Sequence, residues 1–269
     1  VLSDLHIERP EHQRMVGNIY KGKVQNVIPG MQAAFIDIGY DINAFLPFTE
    51  IIEKNSIKDT SFDKDKSKKH INKNIEVNLE IGDDILVQII KEPFSGKGPR
   101  VTTEVSIPGS LMVLVPNGNY IGISRKIADK YEKRRLRRIV KDYKPENFGL
   151  IVRTIAQGKD TPLLESDFKR VWEKWQELDY KIKKKNSPAL VFQDFTTSDQ
   201  VIRDLFTSHI KRLVVDDRLL FKRISTYIKD VRPEQANKLE LMKSKDAIFN
   251  QNQIEEQIDK SLKRKVWMK

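Results

Sequence analysis

The chain contains no cysteine. That excludes disulfides and thiolate metal sites. No stretch approaches the ~20 consecutive apolar residues that a membrane-spanning helix needs. No signal peptide opens the sequence, and both features favour a cytoplasmic location. The four histidines, His6, His12, His70 and His209, have no ligand spacing. Neither a P-loop nor a GxGxxG fingerprint is present, and no nucleophile–base pair can be assembled. Acid is in deficit: 38 Asp plus Glu face 49 Lys plus Arg, a formal charge of +11. Such a surplus points to a polyanionic partner, nucleic acid before anionic membrane. The length of 269 residues suits roughly two domains and suffices to bury a real core. A start at Val1 rather than Met suggests a trimmed chain.

Strand signals dominate the first hundred residues. IYKGKVQNV (19–27) and AAFIDI (33–38) flank a Pro29-Gly30 turn, a second turn runs from Gly39 to Asn43, and AFLPF follows. Residues 54–73, rich in Lys, Asp and Ser, read as a solvated loop. DILVQIIKE (84–92), a Gly96-Lys97-Gly98 turn and RVTTEV complete five strands with one long connection, the pattern of a small closed barrel.

Beyond Pro108-Gly109 the pattern changes. SLMVLVP (110–116) is a strand, NGNYIG a turn, and 126–142 a helix with apolar positions at Ile127, Tyr131, Ile139, Val140 and Tyr143. That helix carries Lys130, Lys133, Arg134, Arg135, Arg137, Arg138 and Lys141. They could contact RNA or simply keep the helix solvated. GLIVRT (149–154) is a strand ending in Arg and Thr. A long helix from Thr161-Pro162 has the stripe Leu164, Phe168, Val171, Trp172, Trp175, Leu178 and Ile182. Strands at 189–193 and 212–217, helices near 198–208, 218–229 and 252–264, and an unfinished strand at 266–268 follow. This alternating material reads as separate from the barrel. The fold class is α+β and multidomain.

Alternation turns Ala34, Ile36 and Ile38 to one face and Phe35 and Asp37 to the other. A small barrel cannot bury Asp37, so Phe35 faces outward, and Phe45 does so by the same count. Outward rings with Lys91 and Lys97 nearby could stack bases and hold phosphates, or the rings could be covered by the 54–73 loop. Arg153 at a strand end can fork onto a phosphate, Thr154 can donate to the same oxygens, and Gly109 could offer an unhindered N–H. An ordinary ion pair for Arg153 is the competing reading. Asp216-Asp217 cannot converge on one ion, because adjacent strand residues point to opposite faces. Asp41-Ile42-Asn43 suits a tight turn.

NIYKGKVQNVIPGMQAAFIDIG and AFLP resemble the S1 domain of the ribonuclease E/G family. HIER near the start, GISR (122–125), GLIVRT and QIEEQI (253–258) extend the likeness from about Leu5 to Trp267. The resemblance implies an S1 barrel of the OB type over 19–103 and a mixed α/β 5′-sensor domain over 104–198. It implies a split RNase H-like domain from 1–18 and 199–263, with 264–269 opening a DNase I-like domain. It implies RNA contacts at Phe35, Phe45, Lys91 and Lys97, and a 5′-monophosphate pocket of Gly109, Val113, Arg125, Arg153 and Thr154. The family's Mg²⁺-holding D-x-N carboxylates would lie beyond Lys269, so no catalytic or metal-binding residue is expected in this chain. The expected partner is single-stranded RNA with a 5′-monophosphate, in a parent that is a homo-oligomeric endoribonuclease of RNA processing and decay. A stand-alone S1-type RNA-binding module is the alternative, and a scaffold whose basic helix binds protein or membrane a third.

Overall fold

The computed structural model describes residues 2–5, 7, 14–51, 79–194, 210–231, 233–242 and 248–263. The chain divides into two compact units, Met15–Asp194 and the pair of segments Val1–Arg14 and Phe195–Lys269. The expected loop at 54–73, the helix near 198–208 and the strand at 266–268 lie outside the described residues. Among those described, no helix is long and apolar enough to cross a membrane.

In the larger unit, strands β1 (Ile19–Ile28), β2 (Ala33–Asp37), β3 (Ala44–Pro47), β4 (Asp84–Lys91) and β5 (Arg100–Thr102) close into a barrel of order β1-β2-β3-β5-β4, with β4 returning to β1. All these pairings are antiparallel except β3 with β5. Closure removes the exposed edges that would template aggregation. Alternation fills the interior with Val24, Ala34, Ile36, Ile38, Ala44, Leu46, Val87, Ile89 and Val101. The β4–β5 hairpin turns on Ser95 and Gly96, both at positive φ (49° and 75°), the requirement of a two-residue type I′ turn. Gly98, expected within that turn, serves a close approach instead: a Cβ there would lie 2.0 Å from the Asn43 carbonyl oxygen.

A second sheet follows: β6 (Ile107–Pro108), β7 (Met112–Pro116), β8 (Ile121–Ile123) and β9 (Phe148–Val152), in the order β6-β7-β9-β8. Residues 121–123, which begin inside the expected NGNYIG turn, form β8 parallel to β9. Helix α1 spans Lys130–Lys141 and helix α2 Thr161–Lys184. The stripe of α2 packs as its spacing requires: Leu164, Val171 and Leu178 are buried, and Trp172 and Trp175 meet Phe148 at centroid distances of 5.1 and 5.4 Å. In α1 the buried face is Leu136 and Val140, while Tyr131, expected on the apolar side, is 80% exposed. Counted at 3.6 residues per turn, Tyr131 lies well round the helix from that pair.

Strand β10 (Ala189–Phe192) does not stay with the second sheet. It pairs antiparallel with Ile19–Lys21 at the start of β1, on an edge that β2 leaves open because β2 pairs only from Lys23 onward. Ile19 and Leu86 in turn join the core of the second sheet. Buried Gln88 donates to the carbonyls of Gly17 (2.9 Å) and Ser106 (3.0 Å) and accepts from Ser106 N–H (2.8 Å). Barrel and sheet are therefore sewn together rather than separate.

In the smaller unit, β11 (Leu213–Val215) and β12 (Leu239–Leu241) are parallel, linked through a helix at Arg218–Val231. Val215, Ile224 and Ile228 form its core. Leu2 N–H reaches Gln257 at 2.6 Å, tying the first segment to a helix at Ile254–Ser261.

Candidate nucleic-acid interface

Register builds the first part of the interface. Phe35 opposes Phe45 across β2 and β3, Phe45 opposes Arg100 on β5, and Arg100 opposes Lys91 on β4. Registered neighbours share a face, so two rings and two cations stand in one row across four strands. Both rings are half-buried while Ala34, Ile36, Ala44 and Leu46 beside them are fully buried, which places the rings on the outer surface. They meet edge-to-face, centroids 5.8 Å apart and planes at 61°. Lys97 closes the hairpin opposite Phe94, paired through both backbone N–H groups (3.0 and 3.1 Å). Phe94 is 81% exposed.

The sequence did not single out Arg100 or Phe94. Arg100 sits between Phe45 and Lys91 and donates to Glu50 at 3.0 Å. Its place in the row depends on the β3–β5 pairing, which joins residues that no local pattern connects. Phe94 could have been found from Phe-Ser-Gly-Lys, a ring and a cation flanking a two-residue turn.

Topology builds the second part. β6, β8 and β9 run parallel to one another and β7 runs against them. The ends of β6, β8 and β9 and the start of β7 therefore meet at one edge of the sheet. That edge gathers Gly109, Ser124, Arg125, Arg153 and Thr154. Arg153 donates from Nη1 to the Gly109 carbonyl (3.2 Å) and from its backbone to the Leu111 carbonyl (2.8 Å). The Ser124 and Thr154 hydroxyls are 2.7 Å apart, a pair that the sequence reading missed because thirty residues separate them. Arg125 is exposed in a turn closed by Ile127 N–H on the Ser124 carbonyl (3.2 Å). Val113 lies opposite Ile151 on the half-buried face, one residue in from the edge.

Gly109 differs from its expected role. Its N–H is not open: it donates to the Met112 carbonyl at 2.8 Å and closes the β6–β7 turn. Glycine is required there for packing, since a Cβ would lie 2.5 Å from Val171 Cγ2 and 2.7 Å from Asp167 Oδ2. The same turn is held from behind by Asp167 on α2, only 2% exposed. Its Oδ1 accepts from Ser110 N–H (3.0 Å), and its Oδ2 accepts from Leu111 (2.8 Å) and Met112 (3.1 Å). A buried carboxylate is tolerable only when so satisfied. Asp167 was also missed; the signal was an acid at Asp167 inside the otherwise apolar stripe of α2.

Electrostatics also fix α1 beside this edge. Asp129 caps the helix by accepting from Tyr131 N–H at 2.8 Å. Glu132 takes both prongs of Arg135 (2.7 and 2.8 Å) and the Gly158 N–H (2.9 Å). The guanidinium first, then that N–H, pull the Glu132 carboxyl from 4.5 to about 2. Arg135 also donates to the Lys159 carbonyl at 2.9 Å. The segment following Thr154 is thus bolted to the first turns of α1.

Among the described residues no three His, Asp or Glu side chains converge as metal ligands. Asp217 acts as a helix cap, accepting from Leu220 N–H at 2.6 Å.

The profile of the Ribonuclease E/G family matches residues 106–269, and that of the S1 RNA binding domain matches residues 13–101. Ribonuclease G of Escherichia coli (strain K12) is 34% identical over 272 residues, covering 100% of this chain and 54% of that protein. Ribonuclease E of Haemophilus influenzae is 34% identical over 267 residues, covering 98% of this chain and 28% of its own length. Ribonuclease E of Buchnera aphidicola is 33% identical over 269 residues, covering 98% and 27%. The chain spans about half the length of the ribonuclease G relatives it matches.

Proposed function

Because the chain belongs to the ribonuclease E/G family, we propose that it is the RNA-gripping portion of an endoribonuclease that cuts single-stranded RNA in processing and decay. The barrel takes the strand: bases stack on Phe35 and Phe45, while Lys91 and Lys97 neutralise phosphates. The edge of the second sheet takes a 5′-monophosphate. Arg153 supplies two-pronged donors, Thr154 a hydroxyl, Arg125 a second cation, and Val113 an apolar wall for the terminal nucleotide. Gly109 lets the turn close without a side chain in the way. Hydrolysis, with the Mg²⁺ that would activate water, falls in this reading to carboxylates outside the described residues.

One observation carries the reading. Arg153 and Thr154 on one strand end, Arg125 beyond a second and Gly109 beyond a third are brought to a single edge, with the guanidinium bonded to the Gly109 carbonyl at 3.2 Å. A fork-shaped donor at the edge that also carries the Ser124 and Thr154 hydroxyls is a donor set that suits a phosphate monoester.

The test compares 5′-phosphorylated with 5′-hydroxyl RNA. The parent should bind the phosphorylated form more tightly and Arg153→Ala should bind both alike. Equal preference in parent and variant would remove the phosphate assignment. Incubation of this chain with RNA and Mg²⁺ should leave the RNA intact, and multiple turnover would refute the division of labour.

A further inference from the structure

We infer that the exposed face of α1 is a track for the single-stranded RNA leader adjoining the 5′ phosphate, a role that rests on the phosphate-site reading above. Lys130, Arg134, Arg137, Arg138 and Lys141 are all exposed. At 3.6 residues per turn their spacing confines them to a stripe about 100° wide along about 16 Å of helix. None forms an ion pair or hydrogen bond among the described residues. The acid within the helix, Glu132, is occupied by Arg135 and Gly158 on another side, and Asp129 is spent on the N-cap. A face kept merely soluble mixes charge signs; this one has a single sign along its length.

One chain connection joins the start of the stripe to the phosphate edge. Lys130 follows the Ser124–Ile127 turn that carries Arg125. The segment after Thr154 is fastened to α1 through Glu132–Gly158 and Arg135–Lys159 on sides of the helix turned away from the stripe, which holds the helix in place without covering those cations. In this reading a strand whose terminal phosphate sits at that edge enters the stripe at Lys130.

Tyr131, 80% exposed, stands three and seven residues before Arg134 and Arg138, on the same flank. It offers a base one stacking surface beside two cations, the combination that suits single strands. A membrane is the poorer occupant. An interfacial helix inserts an apolar face, and the apolar face of α1, Leu136 and Val140, is fully buried in the protein core.

The test uses the whole chain with Arg134, Arg137 and Arg138 replaced by Gln, a good helix former at exposed positions. Binding is titrated over a range of KCl with two oligouridylates, one filling only the phosphate pocket and one long enough to run the length of α1. Three lost phosphate contacts should lower the slope of log K against log salt by about 2 for the long RNA. Affinity for it should fall tenfold or more, and affinity for the short RNA should be unchanged. The ratio of 5′-phosphate to 5′-hydroxyl binding should stay at the parent value, whereas Arg153→Ala abolishes that ratio and lowers the slope by less than about 1. Replacement of the same three by Lys should restore slope and affinity. A Gln variant with parental circular dichroism and an unchanged slope on the long RNA would overturn the inference. So would loss of binding to phosphatidylserine vesicles with RNA binding intact.

Discussion

Removing the Asp167 carboxylate should destabilise the larger unit and loosen the turn that presents Gly109. In Asp167→Asn the amide oxygen is best placed where Oδ2 now accepts from Leu111 and Met112 (2.8 and 3.1 Å). Its NH₂ then faces the Ser110 N–H, now 3.0 Å from Oδ1. One bond is lost and two donors confront each other in a site only 2% exposed. A buried donor left without an acceptor costs about 1–3 kcal/mol, so we expect roughly 2–3 kcal/mol for Asn. Ala strips all three bonds and should cost roughly 4–6 kcal/mol, a large share of the 5–15 kcal/mol typical of a domain. Urea unfolding followed by tryptophan fluorescence reads this core directly, since Trp172 and Trp175 pack in it against Phe148. Arg153 bonds to the carbonyls of Gly109 and Leu111 on the same turn, so discrimination for 5′-phosphate should weaken as well. An Asn variant within about 0.5 kcal/mol of the parent, the range of ordinary surface changes, would refute the clamp.

Two further outcomes are expected. Phe35→Ala should weaken RNA binding by about 1–3 kcal/mol if one base stacks there, with an unfolding midpoint close to the parent's; loss of folding would instead make Phe35 a core residue. The Glu132 carboxyl lies at about 2 in the folded chain against 4.5 for an ordinary one. Its contribution is therefore complete above pH 4.5 and lost as pH falls towards 2. Glu132→Gln should be less stable than the parent by roughly 1–2 kcal/mol at neutral pH, and the gap should close on acidification over that window. A gap independent of pH would show that the carboxylate is not what holds α1 to Gly158.

Residue patterns with a short period are legible in the sequence itself. The alternation in AAFIDI and AFLPF orients Phe35 and Phe45, because a strand repeats every two residues and Asp37 cannot enter a small barrel. The stripe of α2 follows equally from a 3.6-residue period, and the Arg-Thr ending of GLIVRT marks a donor pair whatever surrounds it. Tyr131 was misplaced because its spacing suited two helix faces and packing at Leu136 and Val140 chose between them.

What only tertiary structure decided is which distant residues share a place. Arg100 enters the ring row through a parallel β3–β5 contact, and β10 crosses back to an edge of β1 that no local pattern reveals. Asp167 meets backbone donors 55 to 57 residues away, and that contact turns an anomaly in a helix stripe into the support of a turn. Ser124 joins Thr154 only because β8 and β9 run parallel and end together. Local periodicity is fixed by backbone geometry within a few residues. Partnership across the chain is fixed by closure of a barrel and a sheet, where burying each polar group obliges it to find its acceptor.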